Sequence, residues 1–332
     1  MNTKNITWIA VSILIIGGFL IWQQKEPAEL PTVRLGLQTQ PMIGLVKIAI
    51  EEKFFEKEGL NVEVKEFTAG KLALQALIGG SLDLVTPAEF PVTLATLNGE
   101  ELSILAEVNK TVGGFPMILR RDKEVFVPQE YFAKKKKIAT AVGGGPEFFT
   151  ADFFKKYDIK SSQYEIVSMK PEDMPIALSR GDIDGVAIFE PFSQFAIEKA
   201  GENKVFVIKN DDLYSETIVL AGKTVWISQN REIVEKFLRV LKKSETFIKN
   251  NPEKAMTIMS AFTKLDEDTL KSLWPNFTLQ LGLDTKLLFT MERQAQWAKD
   301  TGKVTKETAI PNFRDIIFEE PLKKISPSSV EL

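Results

Sequence analysis

Apolar and polar positions alternate along Val33–Leu37 and again along Leu60–Phe67. Between them the period changes: Ile43, Val46, Ile50 and Phe54 fall on one helical face. Period two predicts half-buried strands and the longer period a helix, here over 43–58, closed by Gly59. The alternation then breaks at Thr68-Ala69-Gly70, and a second helical stretch leads into a distinctive phrase. Ala76-Leu77-Ile78-Gly79-Gly80-Ser81-Leu82-Asp83-Leu84-Val85 runs on to Glu89. About one hundred residues later, Ala177-Leu178 opens a second copy that runs through Gly181, Asp184 and Val186 to Glu190. Ala, Leu, Gly, Asp, Val and Glu recur in register. In each copy a helix ends at a glycine suited to the left-handed conformation, a short apolar run follows as a buried strand, and a carboxylate comes after it.

Between the copies the pattern predicts a helix over 88–97 behind Pro87, then strands at 102–107 and 115–119. A second set begins there: strand 137–142, the loop Gly143-Gly144-Gly145-Pro146-Glu147, helix 148–156, strand 164–167 and helix 173–179. Ile218–Ile227 reads as one extended crossing strand. Helices at 231–249, 252–262, 267–274 and 285–299 follow without a sheet of their own. Strands alternating with helices call for mainly parallel sheets, so the fold class is α/β with two lobes. The expected division is 32–118 with 222–332 as a discontinuous first lobe and 119–221 as the second, with hinges near Phe115–Leu119 and Leu220–Val225. In open α/β sheets ligands bind beyond the carboxyl ends of the strands. That rule puts a cleft between the lobes.

Composition narrows the chemistry. The 332 residues are 44% hydrophobic and 26% charged, with a net charge of −3. Nothing here suggests a nucleic-acid partner. Histidine and cysteine are both absent, which excludes a disulfide, a thiol nucleophile, a Cys/His zinc site and a Ser-His-Asp triad. No cofactor or metal site is expected. Residues 6–22 form an uncharged apolar run flanked by Trp8 and Trp22. As a helix it spans roughly 25 Å against a hydrocarbon core of about 30 Å. It is expected to be a signal anchor, with a cleaved signal peptide as the alternative, and 23–31 a polar tether. The rest of the chain would then be exported, at the outer face of the cytoplasmic membrane or in the periplasm.

Several phrases carry a resemblance: VRLGLQ at 33–38, AIEEKFFEKEGLNVEV at 49–64, ALIGGSLDLVTPAE at 76–89, ALSRGDIDGVAIFEPF at 177–192, and AQWAKDTG with IPNF in the tail. Over about residues 33 to 318 the chain resembles the nitrate/taurine/sulfonate-class substrate-binding proteins of ABC transporters. That class includes relatives that bind thiamine-precursor pyrimidines. The resemblance implies a two-lobe type II periplasmic-binding-protein fold and a monomeric, non-catalytic receptor. Such a receptor captures a small-molecule solute and passes it to an ABC permease and its ATPase. It also implies ligand contacts at Gln38, Gln40, Thr68, Gly70, Thr86 and Glu89 of the first lobe. From the second lobe it implies Gly144, Gly145, Glu147 and Glu190. Members that bind oxyanions often carry Ser or Thr in the second-lobe glycine loop. Here that loop reads GGGPEFF, and three glutamates stand among the expected contacts. Carboxylates around a cleft disfavour a bare anion and favour ammonium or ring N–H groups. The expected ligand is therefore aminosulfonate-like or aminopyrimidine-like. A membrane-anchored sensor is the alternative function. An enzyme related to the thiamine pyrimidine synthase would need the histidine and cysteine that this chain lacks.

Overall fold

A computed structural model describes residues 30–111, 115–209 and 213–332. The apolar segment at 6–22 and most of the expected tether lie outside them. Among the described residues no helix is long and apolar enough to cross a membrane. Residues Thr32–Leu332 form one compact unit.

That unit contains two similar sheets. The first is built from β1 (Thr32–Gln38), β2 (Asn61–Phe67), β3 (Leu84–Val85) and β4 (Leu102–Thr111). The second contains β5 (Met117–Arg120), β6 (Lys136–Thr140), β7 (Tyr164–Ser168), β8 (Gly185–Ala187) and β9 (Val205–Ile208). The chain then returns to the first sheet with β10 (Thr217–Lys223) and β11 (Phe277–Thr278). Spatial order is β11-β4-β10-β3-β1-β2 in one and β7-β6-β8-β5-β9 in the other. Strands β1, β2 and β3 run parallel, as do β6, β7 and β8. In each sheet one antiparallel strand is delivered by the other lobe: β10 lies between β3 and β4, and β5 between β8 and β9. The central strands β3, β4 and β8 are almost wholly buried, and β3 and β8 read as short apolar runs, while the edge strands β2 and β7 are half-buried to exposed.

The repeated phrase does the same work in both lobes. Gly80 and Gly181 both adopt left-handed φ, at 81° and 85°, and end their helices where only glycine fits easily. The shared aspartate then ties the joint to the adjacent parallel strand, β1 in the first sheet and β6 in the second. Asp83 accepts from Arg34 N at 2.8 Å while its own N–H donates to Arg34 O at 2.8 Å. Asp184 repeats this pair with Lys137, again at 2.8 Å in each direction.

Six helices position the cleft: α1 (Gly70–Ile78), α2 (Glu89–Leu97), α3 (Gly145–Lys156), α4 (Phe192–Ala200), α5 (Arg231–Asn250) and α6 (Thr285–Asp300). Helix α5 buries Val234, Phe237, Leu238 and Leu241, and Phe237 meets Phe55 of the first lobe at 4.6 Å between centroids.

Some expectations change. The helix expected over 43–58 is two pieces, Gly44–Glu51 and Phe54–Lys57, broken at Lys53 with φ 54°. The strand expected over 218–227 ends at Lys223, and Thr224–Gln229 is helical. The sheets change hands between Thr111 and Met117 and again between Ile208 and Thr217. Met117 and Ile118 therefore belong to the second sheet, and 217–221 to the first. Leu220–Lys223, expected as part of a hinge, is paired with β4, with a register shift between Leu220 and Ala221.

Candidate functional site

A cavity of about 290 Å³ opens between the carboxyl ends of the two sheets. That is near the lower limit for small-molecule pockets. The first lobe contributes Gln38 and Gln40 after β1, and Ala69, Gly70 and Lys71 where α1 begins. The second contributes Gly144 and Gly145 at the start of α3, and Ser168 and Lys170 after β7. Glu216, on the second crossing between lobes, completes the wall.

Both helix starts lack a side-chain cap: Ala69 precedes α1, and Gly144 precedes α3. Free N–H groups and the positive ends of two helices thus face one cavity, an arrangement suited to a negatively polarised group. The glycines are there because the backbones come close. A Cβ on Gly70 would sit 2.9 Å from Pro87 Cα, and one on Gly145 would sit 2.4 Å from Glu216 Oε1.

Two buried polar groups in this wall are not used up by the protein. Gln38 is fully buried, and its Oε1 accepts from Thr86 Oγ1 at 2.6 Å. Its Nε2 has no hydrogen-bond partner among the described residues. Glu216 is 2% exposed, and no donor among the described residues reaches its carboxylate. Burial, reinforced by the charge of Glu89, pushes that carboxyl well above the usual range. Buried polar groups are normally paired, so an orphan donor and an orphan acceptor facing one cavity call for a ligand offering both.

Of the residues expected from sequence, Gln38, Gln40, Gly70, Gly144 and Gly145 line the cavity. Thr68, Thr86, Glu89, Glu147 and Glu190 do not. Thr68 is half-buried beside the loop. Thr86 does not cap a helix, because α2 starts later, at Glu89; it fixes Gln38 instead. Glu89 is fully buried and occupied: it accepts from Tyr214 Oη, from Gln294 Nε2 at 2.7 Å and from Thr217 N at 2.9 Å. Burial pushes its carboxyl up to about 7. Glu147 accepts from Gly143 N at 2.8 Å and from Lys303 Nζ at 2.5 Å, which fastens the glycine loop rather than facing a ligand. Glu190 accepts from Gln194 N at 3.1 Å and so closes the first turn of α4, while burial raises its carboxyl.

Sequence reasoning missed Glu216, Ser168 and Lys170. Glu216 sits directly before β10 in Ser215-Glu216-Thr217, a context with no motif. Only its place on the crossing makes it special.

Contacts between the lobes surround the site. Lys71 Nζ donates to Val142 O at 2.7 Å. Arg293 pairs with Asp152 at 2.9 Å, alongside the Lys303–Glu147 pair. Phe148 of α3 packs on Phe90, Trp297 and Tyr214, with centroids 5.7, 5.6 and 5.5 Å away.

Known proteins share this architecture. The alkanesulfonate-binding protein SsuA from Xanthomonas axonopodis pv. citri, solved bound to MOPS, superposes with a TM-score of 0.74. It is 16% identical, over 88% of this chain and 99% of that one. The periplasmic nitrate-binding protein NrtA from Synechocystis PCC 6803 superposes with a TM-score of 0.71 at 16% identity, over 90% and 89%. In sequence, the taurine-binding periplasmic protein of Escherichia coli (strain K12) is 26% identical over 157 residues, 47% of this chain and 48% of that one. Residues 26–263 match the NMT1-like family. The chain belongs to that family, and its fold is the two-lobe fold of the periplasmic binding proteins.

Proposed function

We propose that this protein is an extracytoplasmic solute receptor for an ABC importer. It takes up a small organic solute with a cationic or N–H-rich group at one end and an acceptor-rich group at the other. The observation that carries this reading is Glu216, a buried carboxylate without a hydrogen-bond donor among the described residues, in a cavity that two uncapped helix starts also line. An ammonium or ring N–H meets the carboxylate, and a sulfonate-like or carbonyl-like group accepts from the helix N–H groups and from Gln38 Nε2. Neither end alone satisfies the site.

The relatives named for binding sulfonates and nitrate support the acceptor-rich end of that solute, and the one named for taurine, an aminosulfonate, supports both ends. A binding role without catalysis also suits a chain without histidine or cysteine. Capture would proceed by lobe closure, with Gly144-Gly145 brought onto Glu216. The apolar run at 6–22 would hold the receptor at the outer face of the membrane, and a permease with its ATPase would be its partner.

A thermal-shift screen tests this, using taurine, other aminosulfonates, aminopyrimidines, alkanesulfonates without an amine, nitrate and sulfate. A true ligand at one hundred times its Kd adds about 2.7 kcal/mol of stability. We expect an amine-bearing compound to stabilise the protein and Glu216→Gln to abolish that shift. Tight binding of nitrate or sulfate, unaffected by Glu216→Gln, would refute the ligand assignment.

A further inference from the structure

The cleft carboxylate does not stand alone. Glu216, Tyr214 and Thr217 lie on the same crossing, and the other two are held by Glu89 of α2: Tyr214 Oη and Thr217 N both donate to it. A Cβ built on Gly145 would sit 2.4 Å from Glu216 Oε1 and 3.0 Å from Tyr214 Oη, so the two oxygens flank one point. Two carboxyl groups therefore lie close enough for the charge of one to act on the other, with the Tyr214 phenol bound to Glu89 and beside Glu216. Gln294 of α6 faces Glu89 and is neutral. Helix α3 brings Gly145 against Glu216 and Phe148 against Tyr214. The cations that line the same cavity are Lys71 and Lys170, and Lys71 is turned to Val142 O.

Resting on the proposed role of Glu216 in ligand binding, we propose that Glu89, Tyr214 and Glu216 form a proton-linked cluster through which the cleft releases a proton as it takes up a cationic ligand. Two anions in one buried cluster repel, so one carboxyl keeps its proton in the empty cleft. Glu89 holds three hydrogen-bond donors and is the better place for the negative charge. Glu216 has none among the described residues and keeps the proton. Burial and the neighbouring charge favour the same assignment. When an ammonium group arrives, the Glu216 proton leaves to solvent and the ligand's positive charge replaces it. The net charge of the cluster is unchanged. Affinity for a cationic ligand then rises with pH, up to tenfold per unit while Glu216 is protonated. A ligand without the cation shows no such slope.

The test is isothermal titration of the full-length protein with taurine and with ethanesulfonate, which lacks the amine, in buffers of different ionisation enthalpy. We expect about one proton released per taurine bound near neutral pH, none with ethanesulfonate, and a taurine affinity profile displaced to lower pH in Glu89→Gln. Infrared spectroscopy of the protein without added solute gives a second readout: a protonated-carboxyl band at pH 8, above the titration of Glu89, that loses intensity in Glu216→Gln. Taurine heats independent of buffer, with binding still abolished by Glu216→Gln, would overturn the proton linkage and leave the receptor reading standing. Absence of the infrared band would overturn it as well. If no amine-bearing solute binds the folded protein, the receptor's ligand class and the linkage both fall.

Discussion

Replacing Glu89 by glutamine should flatten much of the pH dependence of stability. Glu89 is fully buried, and desolvation raises its carboxyl from 4.5 to about 7 despite its three donors. At 1.36 kcal/mol per pH unit, that rise corresponds to about 3 kcal/mol. The folded state holds this proton more tightly than the unfolded chain does. The stabilisation is therefore complete below about 4.5 and disappears as pH climbs through about 7. Glutamine keeps an acceptor for Tyr214 or Thr217 but cannot ionise. Urea unfolding followed by tryptophan fluorescence between pH 4 and pH 8 would compare the two proteins. Titrating groups outside the Glu89–Tyr214–Glu216 cluster are common to both and cancel in the difference, whereas Glu216, raised in part by the charge of Glu89, adds its own change to it. The wild type should lose about 3 kcal/mol more than the variant across that range. Parallel stability curves would refute the argument, because they would mean that Glu89 ionises in the fold as easily as in water.

Gly145→Ala should damage binding while sparing the fold. Its Cβ would meet Glu216 Oε1 at 2.4 Å in this arrangement of the lobes, and on the proposed closing motion the clash is expected to fall on the closed form. An overpacking cost of about 1–3 kcal/mol predicts a ~5- to 150-fold loss of affinity in titration calorimetry. A melting temperature lowered as much as the affinity would argue for a folding defect instead. Thr86→Val removes the hydroxyl that fixes the Gln38 amide. The expected loss is about 1 kcal/mol, or roughly fivefold in Kd, and unchanged affinity would remove Thr86 as a positioning residue.

The repeated Ala-Leu…Gly…Asp…Val…Glu phrase was informative because most of it is local. Helix stop, buried strand and backbone tie all involve residues close in sequence or on the adjacent strand, so Gly80/Gly181 and Asp83/Asp184 do identical work. The loops after β1 and before α3 were legible for the same reason. A strand that ends in a polar pair or a glycine run places those residues at the sheet's carboxyl edge, and Gln38, Gln40, Gly70, Gly144 and Gly145 line the cavity. The glutamates were not legible. Glu89 and Glu190 match in sequence, yet one is buried against Tyr214 and Gln294 while the other closes a helix turn. Side-chain partners more than one hundred residues away decide that difference. Glu216 carries no local signature. It becomes a cleft residue because the chain crosses back between the lobes at that point, with Gly145 of the other lobe against it. Periodicity and turn chemistry thus determined the two α/β lobes and the loops that edge the cleft. Which carboxylate faces that cleft was decided by the packing of one lobe on the other, where burial and distant donors set both the direction of a side chain and its charge.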